Sequence, residues 1–365
     1  MNNYEIFVPL DSQFILYPSY TWQEDSLYHV NIRGWLFYCP QTMSKKNKIV
    51  FTVAKQLIRS NATDYANLDL INQNESNRSP YISNSNSNSQ SSTSLPPRKK
   101  ANPEDVLKER LKYFMAKSLP QVNITIKLGS DHDVPFESLV TKTLPTDYNG
   151  KFDILLKSSY KPSIIHVFVD SNNEIFQFQL PLFIHQNGIS IISDIDDTIK
   201  KTDVVSDKRN LFNNVFIKDI KNWTLEGISD FFNEIYAKKS SKDIKFHYVS
   251  NSPWQLYSII SQFFQLTNMP PGSFHLKQYS GNYLNSFMEP AVERKRPGLY
   301  TILQKFPNRK FILLGDSGEQ DLEAYTDIVR RFPGKVLGIY LRIVPNSFSD
   351  FGYDVKTLNQ LKKIL

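Results

Sequence analysis

Residues Ile189 to Ser193 form a short apolar run rich in β-branched side chains, and directly behind it stand Asp194, Asp196, Asp197 and Thr198. The run predicts a buried central strand of an α/β sheet. Its carboxylates then fall at the carboxyl end of the strand, where open α/β sheets bind their ligands. Asp194, Asp196 and Asp197 crowd three negative charges together. A bound divalent cation is the simplest compensation.

After Gly188, strand-like and helix-like segments alternate. Strands are expected at Ile244–Val249, Phe311–Leu314 and Val336–Leu341. Helices are expected at Phe216–Tyr236, Trp254–Phe264, Pro297–Phe306 and Leu322–Arg331. Such alternation predicts a three-layer α/β/α domain around a parallel sheet, here residues 186–365.

Residues 1–185 read differently. Short aromatic and β-branched runs at Ile6–Val8, Phe14–Tyr17, Tyr28–Ile32 and Trp35–Tyr38 are separated by Pro9, Pro18, Gly34 and Pro40. Further strands are expected at Val122–Leu128, Phe152–Leu156, Ile164–Asp170 and Ile175–Leu182, which together predict a β-rich, sandwich-like domain. Thr42–Ser60 suits a helix with a basic face, and Pro103–Lys117 an amphipathic helix whose apolar face holds Leu107 and Leu111. Residues 72–100 hold a Ser/Asn tract with nothing to bury, which predicts a disordered insert. Its end, Pro96–Lys100, reads as a solvated charge run, and His132 between Asp131 and Asp133 as an exposed polar turn.

Length and charge bound the function. A chain of 365 residues suits two domains. Its net charge of +7 favours anionic partners. Cys39 is the only cysteine, so no intramolecular disulfide forms. The N-terminus shows no basic region followed by an apolar run, and no stretch approaches the ~20 apolar residues that span a bilayer. A cytoplasmic protein that meets a membrane only peripherally is expected.

The carboxylate pattern has a definite chemical use. In D-x-D-x-T the first aspartate, Asp194, can attack phosphorus and form an aspartyl-phosphate, dividing a hard hydrolysis into two steps. The second, Asp196, can protonate the leaving oxygen and later take a proton from water. Thr198 would hold the loop through its hydroxyl. Strand Phe311–Leu314 ends at Asp316, with Asp321 close behind. With Asp194 and Asp196 they offer the oxygen ligands that Mg²⁺ prefers. Strand Ile244–Val249 ends at Ser250 and Asn251, a natural phosphate cradle. A lysine would neutralise the transition state.

Taken in order, the stretches G-I-S-I-I-S-D-I-D-D-T-I-K, F-H-Y-V-S-N-S-P-W-Q-L, P-P-G-S-F-H-L-K-Q-Y, E-P-A-V-E-R-K-R and K-F-I-L-L-G-D-S-G-E-Q-D resemble the fungal actin-patch phosphatidate phosphatase family. That family belongs to the haloacid dehalogenase superfamily. The likeness covers most of residues 188–345, with a vaguer echo at Arg33–Phe37. It implies a haloacid-dehalogenase-like, Rossmannoid catalytic domain and Mg²⁺-dependent hydrolysis of phosphatidate to diacylglycerol and phosphate, in lipid metabolism linked to endocytosis and cortical actin patches. By that resemblance Asp194 is the nucleophile, Asp196 the general acid/base, Ser250 the phosphate-binding hydroxyl and Asp316 a metal acid supported by Asp321. Lys295 matches the usual position of the catalytic lysine, with Lys277 as the alternative. Actin-patch or endocytic proteins would be its partners, although residues up to Leu365 hold no proline-rich tail like that of the better-known member. No nucleic acid is expected.

The sequence leaves little room for a cap over the site. Ile199–Ser240 and Asn251–Arg294 are where one could enter, and both are short for a domain of about 50 residues or more. An open site suits a phosphate presented on a surface, with Lys200, Lys201, Lys208 and Arg209 facing an anionic bilayer. The competing readings are a phosphatase of the same mechanism acting on a phosphoprotein or another macromolecule, and a non-catalytic scaffold. Asp197 is expected to orient the loop or a water behind the reacting groups.

Overall fold

The structure, a computed structural model, describes residues 8–45, 47–49, 51–52, 54–55, 102–131, 134–169, 176–203, 208–238, 243–277, 295–318 and 320–344. The tract at 72–100, Pro96–Lys100, His132, Ile6 and Phe7 lie outside the described residues.

The chain opens with two long strands, β1 (Gln13–Glu24) and β2 (Leu27–Tyr38), paired antiparallel. Sequence breaks expected at Pro18 and Gly34 do not interrupt them. Pro18 sits where the register shifts between Tyr17 and Tyr20, a bulge that tolerates its missing N–H. Gly34 stays in the strand because a β-carbon there would lie 2.4 Å from the ring of Phe152 on the neighbouring strand.

Helix α1 (Pro103–Met115) follows, capped by Asn102, whose side chain accepts from the Glu104 N–H. Then come β3 (Lys117–Ser118), β4 (Asn123–Gly129), β5 (Thr141–Pro145), β6 (Lys151–Ser158), β7 (Ile164–Val169), β8 (Phe176–Gln179) and β9 (Leu182–Phe183). One sheet runs β3-β2-β1-β9, with β6 also on β2; a second, antiparallel, runs β5-β4-β7-β8. Val30 and Ile32 from the first sheet share one buried cluster with Ile124, Ile126, Ile165 and Val167 from the second.

The remaining elements are β10 (Ile189–Ser193), α2 (Lys208–Phe216), α3 (Ile228–Ala237), β11 (Ile244–Pro253), α4 (Tyr257–Leu266), β12 (Gly272–Lys277), α5 (Arg296–Lys305), β13 (Lys310–Asp316), α6 (Asp321–Arg331) and β14 (Val336–Arg342). They form a five-stranded, wholly parallel sheet in the order β12-β11-β10-β13-β14, with β10 at its centre as expected. The molecule is therefore a mixed α/β protein with one parallel sheet, one antiparallel sheet and one sheet that is antiparallel except for the parallel pair of β1 and β9. Two expectations need correction. Of the helix expected at Phe216–Tyr236 only the second half is α-helical: α2 ends at Phe216, a 3-10 turn follows at Ile220–Trp223, and α3 starts after Gly227 with φ +75°. Strand β12 had been missed; its apolar run is short and begins at a glycine.

The β strands and the parallel sheet are not independent. On β1, Phe14 and Leu16 face the β cluster, while the alternating Ile15 and Tyr17 pack with Trp35 and Trp254. Past the bulge, Tyr20 and Trp22 join Leu299, Phe306 and Leu313 of the parallel layer. The first sheet is thus buried on both faces. Helix α1 packs through Leu107 and Leu111 against Ile191, Val215 and Phe216, so it serves the parallel-sheet core. Arg110 fixes it there, donating to the carbonyl oxygens of Val215 at 2.7 Å and Lys218 at 2.5 Å.

Candidate active site

Register brings the polar residues together. Ser193 of β10 lies beside Tyr248 of β11 and Leu314 of β13. Asp194, one residue further along β10, and Ser250 and Asp316, two residues further along their strands, therefore emerge at one edge of the sheet. Asp194 is fixed by its backbone N–H, which donates to the Leu314 carbonyl at 2.9 Å.

Asp194, Asp316 and Asp321 form one buried group, with a carboxylate oxygen from each within 4.8 Å of the others. Lys295, at the start of α5, reaches into it: its Nζ lies 2.7 Å from Asp194 Oδ1 and 2.5 Å from Asp321 Oδ1. Asp321 also accepts the Asp316 N–H at 3.2 Å. Gly315 makes room for it, since a β-carbon there would lie 2.4 Å from Asp321 Oδ2. One ammonium among three buried carboxylates leaves a negative surplus, and burial without compensation is costly. An all-oxygen donor set of this charge fits a hard divalent cation such as Mg²⁺.

Asp196 faces elsewhere. Although expected among the metal ligands, it brings no carboxylate oxygen to that group, because both its side-chain oxygens are engaged. Oδ1 accepts from Lys200 Nζ and from the Thr202 hydroxyl at 2.9 Å. Oδ2 accepts from Ser250 Oγ at 2.7 Å and Ser252 Oγ at 2.8 Å. Burial pushes the Asp196 pKa up, but the Lys200 charge and the hydrogen bonds from Lys200, Ser250 and Ser252 outweigh it. They hold the carboxyl well below its usual range.

The turn after Asp194 is tightly built. Asp197 adopts φ +54°. Its Oδ1 accepts from the N–H groups of Thr202 at 2.7 Å and Asp203 at 2.8 Å, and its carbonyl accepts from Arg342 at 2.7 Å. Asp197 therefore orients the loop, one of the two roles expected of it. Asn214 of α2 braces the same turn from outside, donating to the Thr202 carbonyl at 2.9 Å. The loop-holding hydroxyl is that of Thr202 and not, as expected, that of Thr198. Thr198 Oγ1 is buried without a hydrogen-bond partner among the described residues, so the turn directs it away from the loop's own backbone.

Other expectations sort plainly. Lys295 is beside Asp194; Lys277 lines the adjoining cavity with Ser250 and Lys295. Asn251 follows Ser250 and is half-buried. Lys200 does not face a bilayer: it is 1% exposed and lies over the Trp223 ring, because the tight turn returns it to Asp196. Lys201 is exposed, and the side chains of Lys208 and Arg209 lie outside the described residues. The described parts of 199–240 and 251–294 pack as helices and strands of the parallel layer and build no cap. Sequence reasoning missed Thr202, Ser252 and the pairing of Lys200. The S-x-S spacing of Ser250 and Ser252 was the one available signal. It also missed that β1, β2 and β6 wall the site: Tyr20, Asn31, Arg33 and Asp153 line the same cavity as Ser250 and Lys295.

Residues 189–343 match the family defined by the catalytic domain of phosphatidate phosphatase APP1. The chain is 31% identical over 389 residues to phosphatidate phosphatase APP1 of Saccharomyces cerevisiae, covering 100% of this chain and 65% of that protein. An uncharacterised protein of Schizosaccharomyces pombe is 36% identical over 245 residues, covering 65% of this chain and 37% of that one. The chain thus spans slightly under two thirds of the first of these relatives, and little more than a third of the second. A solved carbohydrate esterase overlaps 67% of this chain and 88% of its own at 13% identity, and its TM-score of 0.21 is too low to relate the folds.

Proposed function

We propose that the chain is a member of the APP1-like family it matches and that it hydrolyses phosphatidate to diacylglycerol and phosphate. The observation that carries the reading is the buried meeting of Asp194, Lys295, Asp316 and Asp321 beside the Asp196–Ser250 pair. We group residues 186–365 as a haloacid-dehalogenase-like catalytic domain. The wholly parallel sheet, with the first aspartate after its central strand, supports that. Residues 1–185 we group as a sandwich-like β domain, supported by the cluster its two sheets share.

In this reading Asp194 attacks phosphorus. An oxygen–phosphorus bond forms as the bond to the glycerol oxygen breaks. Asp196 gives that oxygen its proton and later takes one from the water that hydrolyses the aspartyl-phosphate. The strong pairing with Lys200 keeps Asp196 ionised in the structure described. An anionic phosphate arriving at Ser250 offsets the Lys200 charge and raises the Asp196 pKa toward that of a working acid. Ser250 and Lys295 hold the phosphoryl oxygens, and the buried Thr198 hydroxyl donates to them. Mg²⁺ held by Asp194, Asp316 and Asp321 would screen the anionic nucleophile from the anionic phosphate.

A lipid substrate implies peripheral contact with a membrane face. Among the described residues no helix is long and apolar enough to cross one. Attachment to cortical actin patches is the family's implied location and is carried to this chain on that ground alone. Phosphate release from phosphatidate in detergent micelles, compared with release from phosphopeptides, tests the assignment; a preference for phosphopeptides would overturn it.

A further inference from the structure

We infer that the groove between the β strands and the parallel sheet holds the hydrocarbon part of the lipid substrate, an inference that rests on the phosphatidate reading. Two cavities meet there. One, of about 400 Å³, opens on Ser250 and Lys295. The other, of about 510 Å³, runs away from the site between β6, the β5–β6 turn and the start of the helix after β11. They share Arg33, Asp153 and Leu276 as a common neck. Each is within the roughly 300–1,000 Å³ of small-molecule sites.

Chemistry changes along the groove. The catalytic end is cationic, with Lys277, Lys295 and Lys305 in its walls. Beyond the neck Leu144, Phe152, Trp254 and Phe274 supply an apolar wall, alongside Gln121, Asp147 and Lys151. At the mouth stands Tyr148, 87% exposed, an aromatic of the kind that seats at a membrane–water interface. A cationic end for the phosphate and a second compartment with an apolar wall past the neck match a phosphomonoester lipid. An inorganic or sugar phosphate would leave the second cavity unused.

The neck gives the β strands a part in specificity. Arg33 of β2 reaches across and donates to the Phe274 carbonyl of β12 at 2.6 Å, tying the two walls together. Asp153 is its register partner on β6.

The test uses the full chain and phosphatidates of graded acyl length in identical detergent micelles. Expected is a kcat/KM that rises by up to about fourfold per methylene and then levels when the compartment is full. Leu144→Glu and Tyr148→Glu should flatten that rise at least tenfold between the shortest and longest chains. Phosphatidate carrying a photoreactive diazirine near the chain end should label residues 144–153 or Trp254. Label confined to the exposed Phe176, Phe178 or Tyr340, or a chain-length profile unchanged in both variants, overturns the inference while leaving phosphatidate hydrolysis intact. No phosphate release at any chain length, under conditions where p-nitrophenyl phosphate is turned over, removes the lipid reading and this one together.

Discussion

The ammonium of Lys295 stands 2.7 Å from Oδ1 of Asp194, and both side chains are nearly withdrawn from solvent. Lys295 also holds Asp321, so among the described residues it is the cation found inside a buried set of three carboxylates. Replacing it by methionine should lower phosphate release about 10²–10³-fold. The same variant should bind Mg²⁺ more tightly, because the competing charge is gone. Its melting temperature should therefore rise more steeply with Mg²⁺ than that of the parent protein. A smaller rise would contradict the arrangement.

Gly315 tests the acid cluster from the side. Its missing β-carbon is the space that Asp321 Oδ2 occupies, 2.4 Å from where that carbon would be. Gly315→Ala should displace Asp321 and remove most of the thermal stabilisation by Mg²⁺, read by calorimetry with and without chelator. An undiminished Mg²⁺ response would show that Asp321 is no ligand.

Lys200 and Asp196 form a buried ion pair. Breaking such a pair from one side costs about 3–5 kcal/mol, because a charge is left without compensation. Lys200→Met should cost that much in urea unfolding, and adding Asp196→Asn should recover part of it. Additive losses would mean that the two side chains do not interact.

How much of this was legible in the sequence depends on what each residue needed. Asp194, Ser250 and Asp316 could be found because each follows an apolar run, and a strand's end is visible where the run stops; Asp321 was found by standing close behind Asp316. Lys295 was found by its place in the order of motifs. Lys200 was misread because a basic residue in a polar loop looks solvated; only the turn, with Asp197 at positive φ, sends it back to Asp196. Thr202 and Ser252 needed the same turn. The amphipathic face of α1 was visible, but a face does not name its partner, and that partner proved to be Ile191 and Val215 of the parallel layer. Gly34 read as a turn because nothing in the sequence shows that Phe152 lies over it.

A buried histidine gives a pH signature independent of catalysis. His247 sits between Ser190 and Ser273, with its ring nitrogens 3.1 Å and 2.7 Å from their hydroxyls. Burial, aided by the Arg309 charge, pushes its pKa down to about 3. Below its unfolded pKa near 6.5 the unfolded chain binds a proton that the folded protein refuses. Stability contributed by neutral His247 is therefore complete above about pH 6.5 and falls as pH drops toward 3, by several kcal/mol in order of magnitude. His247→Gln should unfold with a shallower dependence over that window. Parallel curves would contradict this account of the site.

The central claim is that Asp194 attacks a lipid phosphate. Mg²⁺-dependent phosphate release from phosphatidate micelles, measured for the parent protein and for Asp194→Asn, tests it most directly. The account predicts sustained release by the parent and none above background from the variant, with an unfolding transition that remains cooperative. Equal release from both proteins would contradict it.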